Sequence, residues 1–427
     1  NLNYGMDSIP AFVEEDYMLS PDNYKAKLSF ELAVYKSPRG EIKKYTSTWK
    51  DADKALKNNF LDNQASKKGY FKRKLPESFF TVASNLEKAK MTFEFIRNHF
   101  NWNGKYWPSR NVKVKKAFDQ GTGNIFDINL SLYNSLQALN IESYLVLSKT
   151  RNRAVPIKVH PVINEFNYLF VKVILDGKIY YLDATDKFLP FGLVRFEAIN
   201  GDGRVLDFDK GSFWEEIAMK TAARESIKVK LIISEDETTG TMKIFKTGYK
   251  ALNRRKKLAS KTKEEIIEAF ESDHPYLEIE ECTIEKKDVF GEPLTENFKF
   301  VLETDLQNDR QIISPFLISK IDENPFKLNK RDYPVDFGYP KGFTYILSIK
   351  LPEGHTVKEL LKSRIIALPN NGGRLIVNNH IKDGEYLLFF KFNINKSIYS
   401  NIEYFDLKEY FKEIIKIQEE TIEIVKE

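Results

Sequence analysis

The sequence predicts an α+β protein in which a core domain of helices and strands is followed by a mostly β, sandwich-like region. Two helical patterns come first, over 84–100 and 128–139, and apolar, β-branched runs follow them. Beyond residue 222 most apolar runs have the length and spacing of strands. Helices in one block and strands in another are typical of α+β domains, since a regular alternation of the two would favour a parallel α/β sheet.

The length of the chain indicates more than one domain. At 427 residues it exceeds what one hydrophobic core usually serves, and an apolar content of 42% is enough to form several. We therefore divide it into a truncated N-terminal β region over 1–49, a core domain over 50–215 and a C-terminal β-rich domain over 216–427. Turn-forming residues near 324–334 leave open a division of the last domain into two subdomains.

Charge and cysteine content exclude several classes of protein. The 66 basic and 61 acidic residues are interspersed and leave a net charge of +5, so we expect a solvated surface and no nucleic-acid partner. The densest basic stretch, 254–257, is read as a helix face. The one cysteine, Cys282, allows no intrachain disulfide and no cysteine-based zinc site. No apolar run reaches about 18 residues, which predicts that there is no transmembrane segment.

The first element is a strand in the N-terminal β region. Between Tyr24 and Tyr35 apolar and polar residues alternate with the period of two that marks a half-buried strand. Turn-forming residues precede and follow it, at 21–23 and 37–40. A strand needs partners and few other strand-like runs precede Trp49, which is why we expect this region to be cut short.

Two amphipathic helices are predicted next, in the core domain. In the first, apolar residues recur at spacings of three and four over 86–100, with Ser84 or Asn85 as the cap and a stop at 103–104. The second enters from a glycine-containing loop, 121–124, and continues through Ile128, Leu132, Leu136 and Leu139. The glycines indicate a loop that enters a buried helix.

Strand-like runs follow the second helix. They cover Ser143 to Ser148, Tyr168 to Leu175 and Ile179 to Leu182, and the Asp-Gly pair at 176–177 predicts a hairpin between the last two. In the C-terminal half, further runs predict strands at 227–234, 241–248, 276–284, 298–302, 343–351 and 386–392.

Helices interrupt this β-rich half at two places. One helical insertion is expected over 251–271, where Thr262 and Glu265 have the spacing of a capping box. A last helix is expected over 406–417, because Leu407, Phe411 and Ile414 share one face.

The entry to the second core helix resembles a known family. Its residues Gly123-Asn124-Ile125-Phe126-Asp127 are similar to the Gly-x-Cys-x-Asp of the transglutaminase-like superfamily, whose fold is related to that of papain. In that family the cysteine lies at a helix N-terminus, where the helix dipole and backbone N–H groups stabilise its thiolate. The glycine and Asp127 match, whereas Ile125 stands at the cysteine position.

Two later strands carry the rest of the resemblance. The strand that begins at Tyr168 resembles the one that starts with the family's catalytic histidine, and the strand that ends in Asp183 resembles the one whose aspartate orients that histidine. Asp183 matches, but Tyr168 replaces the histidine. The resemblance covers about 50–209, and the flanking β regions are similar to those of bacterial members of the superfamily.

The substitutions imply a protein that has lost the family's chemistry. That chemistry needs a thiolate nucleophile, an imidazole that takes its proton and a carboxylate that holds the imidazole. Isoleucine offers no nucleophile, and tyrosine, with a pKa near 10, is a poor general base at neutral pH. We therefore expect no catalytic residue, a vestigial triad at Ile125, Tyr168 and Asp183, and no cofactor.

Candidate binding residues surround this vestigial triad. Tyr168, Asp127 and Asp183 could hold a ligand, although Asp127 could instead cap its helix and Asp183 could bond a neighbouring turn. Trp102 and Trp107 could wall a binding cleft or pack under a loop.

The cysteine and the histidines are predicted to have structural roles. Cys282 lies on a strand-like run, where a buried core thiol is expected. None of the five histidines has a metal-ligand spacing such as His-x-x-x-His, so we expect no metal site. His160 precedes the vacant histidine position and is read as an exposed loop residue.

Two functions stay open from the sequence. In the first, a catalytically inactive protein acts in binding or scaffolding at the bacterial cell envelope, and takes a protein, peptide or glycan partner in the old cleft or by strand addition at a sheet edge. In the second, it is a peptidase, amidase or acyl-transferase with a non-standard site around Tyr168 and Asp183. The envelope or periplasmic setting is implied by the resemblance alone, since residues 1–10 lack the pattern of a signal peptide.

Overall fold

The structure of the chain, a computed structural model, describes residues 4–427 apart from 10, 29, 31, 33, 46–47, 62, 107–112, 235–236 and 304–309. Two units are distinguished by their internal contacts. The first comprises Asn1–Glu14 and Met18–Ala218, and the second comprises Glu15–Tyr17 and Met219–Glu427. The three-part division drawn from the sequence stays a prediction.

The first unit begins with short strands and continues with helices before its main sheet. Its elements include β1 (Val34–Lys36), β2 (Ile42–Lys44), α1 (Trp49–Ala55), a π-helical turn (Leu56–Phe60), α2 (Lys68–Lys74), α3 (Ser78–Thr81), α4 (Asn85–His99), β3 (Asn101–Trp102), α5 (Val114–Gln120), β4 (Thr122–Gly123), α6 (Ile125–Ala138), β5 (Ser143–Ser148), β6 (Tyr168–Leu175), β7 (Lys178–Leu182), β8 (Asp202–Leu206) and β9 (Phe213–Glu216).

Helix α6 is the centre of this unit. It packs on β5 and β6 of an antiparallel sheet with the strand order β7-β6-β5-β8-β9, and α2, α4 and α5 pack around it. Almost every side chain from Ile125 to Leu136 is buried as a result. Three of its buried polar side chains have partners within the helix: Ser131, Asn134 and Ser135 each donate to the backbone carbonyl oxygen four residues back.

The hairpin predicted at 176–177 is present between β6 and β7. Asp176 and Gly177 have φ values of +49° and +72°, so both central residues adopt the left-handed conformation. This is the geometry of a type I′ turn, whose twist matches that of the two strands it joins. The turn sets the register that brings the start of β6 near the end of β7, with Val171 opposite Leu182.

The first predicted helix is present as α4. Ser84 caps it, because its hydroxyl oxygen accepts a hydrogen bond from the backbone N–H of Glu87 at 3.3 Å. The helix ends at His99, earlier than the predicted stop at 103–104. Residues 101–102 instead form β3, which pairs in parallel with β4 and brings Trp102 beside Gly123.

The predicted strand over 24–35 is wrong for most of the residues that the structure describes. Among the described residues of this span, only Val34 and Tyr35 belong to a strand, β1, which pairs with β2. Leu28, Phe30 and Leu32 keep half or more of their surface exposed. Alternation alone does not form a strand, because a strand also needs a neighbouring strand for its backbone and a layer that covers its apolar face.

The second unit is mostly β, as predicted. Its elements include β10 (Ala223–Ile233), β11 (Thr238–Lys246), α7 (Gly248–Leu258), α8 (Lys263–Asp273), β12 (Leu277–Glu285), β13 (Leu294–Leu302), β14 (Arg310–Ile313), β15 (Val335–Asp336), β16 (Lys341–Lys350), β17 (His355–Val357), β18 (Arg364–Ala367), β19 (Gly373–Lys382), β20 (Glu385–Ile394), β21 (Ile398–Tyr399), α9 (Tyr404–Glu419) and β22 (Ile422–Lys426).

One eight-stranded sheet with the order β12-β13-β11-β10-β16-β20-β19-β18 forms its framework. All of its neighbours are antiparallel except β10 and β16. A layer of α8, α9 and the 314–318 segment covers one face through the pairs Phe270 with Phe298, Phe316 with Phe390 and Phe411 with Phe392. A three-stranded sheet, β14-β22-β17, belongs to the same unit.

The fold class predicted from the sequence is confirmed. The chain is 28% helix and 31% strand, and its helices and strands are segregated in the α+β manner. None of the helices in the described ranges is long and apolar enough to cross a bilayer.

The helical insertion predicted over 251–271 is two helices, α7 and α8. Thr262 caps α8 in a full capping box with Glu265, so the sequence signal was correct and marked a helix start inside the predicted span. The basic stretch at 254–257 has internal partners. Arg254 binds Glu296 at 2.6 Å, and the Arg255 guanidinium donates to four backbone carbonyl groups of the 286–292 loop.

Candidate functional site

The site suggested by the sequence begins at the N-terminus of α6. Asn124 is the cap of this helix, and its Oδ1 accepts hydrogen bonds from the backbone N–H groups of Phe126 at 2.8 Å and Asp127 at 3.0 Å. The Asp127 carboxylate in turn accepts a hydrogen bond from the Asn124 N–H, at 3.2 Å. This reciprocal pair is a capping box. Asp127 therefore has the capping role that the sequence left open beside a binding role.

Gly123 lies so close to the Asp127 side chain that a residue with a Cβ atom would not fit there. A Cβ atom built there would lie 2.7 Å from the Cβ of Asp127, which is closer than real Cβ contacts. Burial raises the pKa of Asp127, while hydrogen bonds from the backbone at Asn124 and Lys113 act in the opposite direction. The Gly-x-x-x-Asp spacing thus serves the packing of the helix start.

Ile125 is the first residue of α6 and is fully buried. Its backbone N–H donates to the Lys105 carbonyl oxygen at 3.2 Å. The next two N–H groups bind Asn124, and the Ile128 N–H binds the Asn124 carbonyl oxygen at 3.1 Å. All four N–H groups of the first helical turn therefore have partners, and none is left to stabilise an anion at this helix end.

Tyr168 and Asp183 meet at the sheet on which α6 packs. Tyr168 begins β6, Asp183 directly follows β7, and the Tyr168 hydroxyl donates to Asp183 Oδ2 at 2.7 Å. Both side chains are fully buried. The structure thus joins two of the three vestigial positions by a direct hydrogen bond.

The Asp183 carboxylate accepts several further hydrogen bonds. Its Oδ1 binds Asn129 Nδ2 at 3.0 Å and the Thr185 hydroxyl at 2.7 Å, and its Oδ2 lies 3.4 Å from the Arg195 backbone nitrogen. A buried carboxylate with this many donors is held in one orientation.

Tyr168 keeps its proton under these conditions. Burial raises the pKa of Tyr168 well above its ordinary value, and the adjacent charge of Asp183 raises it further. Its hydroxyl hydrogen is already directed at Asp183. A tyrosine in this state donates a hydrogen bond and does not accept a proton from a nucleophile at neutral pH.

Sequence reasoning missed Asn129, which connects the site. Its Nδ2 group donates to Asp183 and to the Leu169 carbonyl oxygen at 2.8 Å, and its Oδ1 accepts from the Ala184 N–H at 3.0 Å. The side chain is fully buried. The available signal was a polar residue one helical turn after Ile125, since buried polar groups have specific partners, but α6 contains several other buried polar residues.

A group of aromatic and charged side chains is linked to Tyr168 through Tyr106. The Arg195 guanidinium lies 4.0 Å from the Trp102 ring centre and its Nη1 binds Glu197 at 2.9 Å. The Tyr106 hydroxyl donates to the same Glu197 oxygen at 3.0 Å, and its ring centre is 6.0 Å from that of Tyr168. Trp102 is thus near the vestigial triad and packs against Arg195. Trp107 lies outside the described residues.

The other residues considered from the sequence are remote from this chemistry or unsuited to it. His160 is exposed in the segment before β6. Cys282 is buried on β12, and burial raises the pKa of its thiol, with the charge of Glu296 adding to the effect. No group of three or more metal-ligating side chains occurs among the residues the structure describes.

Comparisons with known proteins bear on the fold. The DUF3858 domain, a domain of unknown function with a solved structure, matches residues 309–424. The crystal structure of a protein from Parabacteroides distasonis, described as a "putative protease", is similar with a TM-score of 0.54 and 14% sequence identity. The similarity covers 93% of this chain and 63% of that protein. No curated protein matches the sequence.

These similarities do not identify the function of the chain. The chain spans less than two thirds of the length of the Parabacteroides protein, and at this identity the similarity establishes the fold alone. The transglutaminase-like interpretation of the vestigial triad stays a hypothesis.

Proposed function

We propose that this chain is a catalytically silent protein of transglutaminase-like fold that acts in binding or scaffolding at the bacterial cell envelope. The observation that carries the proposal is the start of α6. Ile125, which the resemblance aligns with the family's cysteine, is fully buried, and the N–H groups of the first helical turn are all bonded within the protein. The envelope setting follows from the resemblance.

Each chemical step of the intact family lacks its group here. Isoleucine has no electron pair for attack on a carbonyl carbon. Tyr168 cannot take a proton from a nucleophile, because its hydroxyl keeps its own proton and donates it in a hydrogen bond to Asp183. The carboxylate remains, but it orients a tyrosine instead of an imidazole. These features support a scaffold that has kept the geometry of the site and lost its reactive atoms.

The same geometry weighs against a peptidase, amidase or acyl-transferase that uses Tyr168 and Asp183. Both side chains have no exposed surface, so a substrate carbonyl group could not reach them without a rearrangement of the core. Asp183 is further occupied by Asn129 and Thr185.

The test compares the native protein with Ile125→Cys and with Ile125→Cys combined with Tyr168→His. Each is assayed for amide hydrolysis, for acyl transfer to an amine and for thiol reactivity, with the native protein as the baseline for Cys282. We expect the native protein to be silent in both enzymatic assays. We also expect the introduced thiol to react slowly until the protein is denatured, because position 125 is buried. Hydrolysis or transfer by the native protein would contradict the proposal.

A further inference from the structure

A cavity of 320 Å³ lies in the second unit, whereas the vestigial triad belongs to the first. Tyr276, directly before β12, and Leu302, the last residue of β13, line it together with β14 and the segment that follows β14. Its volume is at the lower end of the range of about 300–1,000 Å³ for small-molecule pockets. The cavity therefore suits one small molecule, and we refer to it as the β14 cavity.

The walls of the β14 cavity are largely apolar. Leu302, Ile313, Phe316 and Leu317 line it, and all four side chains are buried. They belong to the hydrophobic core of the second unit. Because apolar surface gains free energy when it leaves water, such walls favour a ligand with an apolar body.

One polar side chain of the β14 cavity lacks a hydrogen-bond partner. Burial alternates along β14, so Gln311 and Ile313 are buried and their neighbours in the strand are exposed. Gln311 is only 7% exposed, and its buried Nε2 atom has no partner among the residues that the structure describes. A buried donor without a partner destabilises the protein, and a ligand that offers it an acceptor recovers the lost bond.

The other uncharged polar side chains of the cavity are already engaged. The Tyr276 hydroxyl donates to the Leu317 carbonyl oxygen. The Ser314 hydroxyl oxygen accepts from Lys320 Nζ at 2.7 Å and lies 3.4 Å from the Phe316 carbonyl oxygen. The amide of Gln311 is therefore the neutral donor that stays available to a ligand.

The charges of the cavity balance. Among the described lining residues only Lys320 and Glu303 are ionisable to a cation and an anion at neutral pH, and both are exposed. Burial lowers the pKa of Lys320, and the nearby carboxylates of Asp322 and Glu419 act in the opposite direction. A charged ligand would thus meet no excess of opposite charge, and it would lose hydration on entering an apolar space.

We propose that the β14 cavity binds a small, neutral, apolar compound whose carbonyl group accepts a hydrogen bond from the Gln311 amide. The apolar walls select the body of this ligand, the unpartnered N–H groups select its acceptor, and the balanced charges select a neutral compound. An amide or ester on a short aliphatic chain has all of these properties. Such a site goes beyond the proposed function, which concerns the first unit.

The test titrates the full chain with octanamide, a neutral amide on an aliphatic chain, by isothermal titration calorimetry. Octanoate and octylamine are the references, since they have the same chain length and carry a negative and a positive charge. We expect octanamide to bind about tenfold more tightly than either reference, because a charged group loses its hydration in an apolar cavity.

A substitution of Gln311 assigns the binding to its amide. Gln311→Met removes the amide and keeps a side chain of similar length. We expect it to weaken octanamide binding by about tenfold, the effect of one lost hydrogen bond. Without ligand, this variant is expected to unfold at the temperature of the native protein or higher, since a donor without a partner is removed. Gln120→Met, at an exposed glutamine of α5, is the matched control and should change affinity by less than about twofold.

Glu303→Gln tests the charge balance at an exposed position, so it does not depend on a change in the core. The variant leaves Lys320 as the remaining charge among the described lining residues. We expect octanoate to bind about threefold more tightly to it than to the native protein, and octanamide to change by less than about twofold. If circular dichroism shows that Gln311→Met is unfolded, Glu303→Gln and the comparison of the three compounds decide.

Three outcomes would overturn the inference. In the first, octanoate or octylamine binds the native protein as tightly as octanamide does. In the second, folded Gln311→Met binds octanamide as tightly as the native protein. In the third, none of the three compounds binds, which would mean that water alone occupies the cavity.

Discussion

The hydrogen bond from Tyr168 to Asp183 is expected to stabilise the folded protein. Tyr168→Phe removes the donor that lies 2.7 Å from Asp183 and leaves a buried carboxylate with one bond fewer. We expect a loss of about 1–3 kcal/mol in the free energy of unfolding, measured by denaturant titration. Tyr144→Phe is the matched control, since it removes the same hydroxyl from a bond to Glu142 at the surface. The control should change stability by less than about 0.5 kcal/mol.

Asn129 is the second residue whose role is testable. Asn129→Leu keeps the side-chain size and removes the bonds to Asp183, Leu169 and Ala184. Because three buried polar groups lose a partner together, we expect a loss of about 3 kcal/mol or more. Urea unfolding of the variant measures it. A loss no larger than that of Tyr144→Phe would show that the network is not a stabilising unit.

At this scale local motifs single out Ile125, Tyr168 and Asp183, on a helix start and two strands, and the structure joins the last two by a hydrogen bond. That the three are a vestigial triad stays a prediction. Asn129 and Arg195 have no such local marker. Asn129 bonds Asp183 through its side chain and Arg195 through its backbone N–H, and folding brings these groups together across 54 and 12 residues of sequence.

At the scale of one element, the capping box of α8 is expected to stabilise its helix. Thr262→Ala removes the hydroxyl that accepts from the Glu265 N–H at 3.2 Å. We expect a loss of about 1 kcal/mol in thermal or denaturant unfolding. Thr262→Ser retains the hydroxyl and should behave as the native protein. Equal effects of the two substitutions would show that the cap does not stabilise the helix.

Element boundaries were predictable where the deciding chemistry is local. The 176–177 turn and the Ser84 and Thr262 caps were all visible in the sequence, and the structure contains each of them. The helix over 251–271 was misread as one element because amphipathic spacing continues across the cap. The strand over 24–35 failed for another reason, since strand formation depends on a partner that no local pattern specifies.

The second unit has a buried ion network that predicts how its stability depends on pH. Glu225 on β10 lies 3.1 Å from Lys246 and 2.8 Å from Lys250. Burial would raise the pKa of Glu225, but the two lysines outweigh burial and hold it below the ordinary glutamate value of 4.5. A depressed pKa means that ionised Glu225 stabilises the folded state above the unfolded-state pKa. This contribution is lost as the pH falls through the folded-state value.

The measurement compares the native protein with Glu225→Gln by denaturant unfolding from about pH 7 to about pH 3. We expect the variant to be less stable at neutral pH, and the difference to shrink as the native Glu225 becomes protonated. Glu278→Gln, at an exposed glutamate of β12, is the matched control and should show little difference at any pH. A gap between native and Glu225→Gln that stays constant with pH would contradict the assignment.

At the scale of the whole molecule, the α+β class was predictable and the arrangement of strands was not. Pairs of strands adjacent in sequence, such as β6 with β7 and β10 with β11, form hairpins that apolar runs and turns indicate. The central pairing of β10 with β16 joins strands about 120 residues apart, and nothing local identifies that choice.

This central pairing has a consequence for how the second unit can be cut. The DUF3858 match begins at residue 309, so it includes β16 but leaves out β10, and a boundary drawn there severs a ladder of paired residues from Ala223–Lys341 to Ile232–Lys350. An excised fragment over 310–427 would carry β16 as an open edge, which is a template for intermolecular pairing. We expect that fragment to self-associate in light scattering, whereas a fragment over 219–427 should be monodisperse. We therefore expect the segment of sequence similarity to be smaller here than the segment that folds on its own.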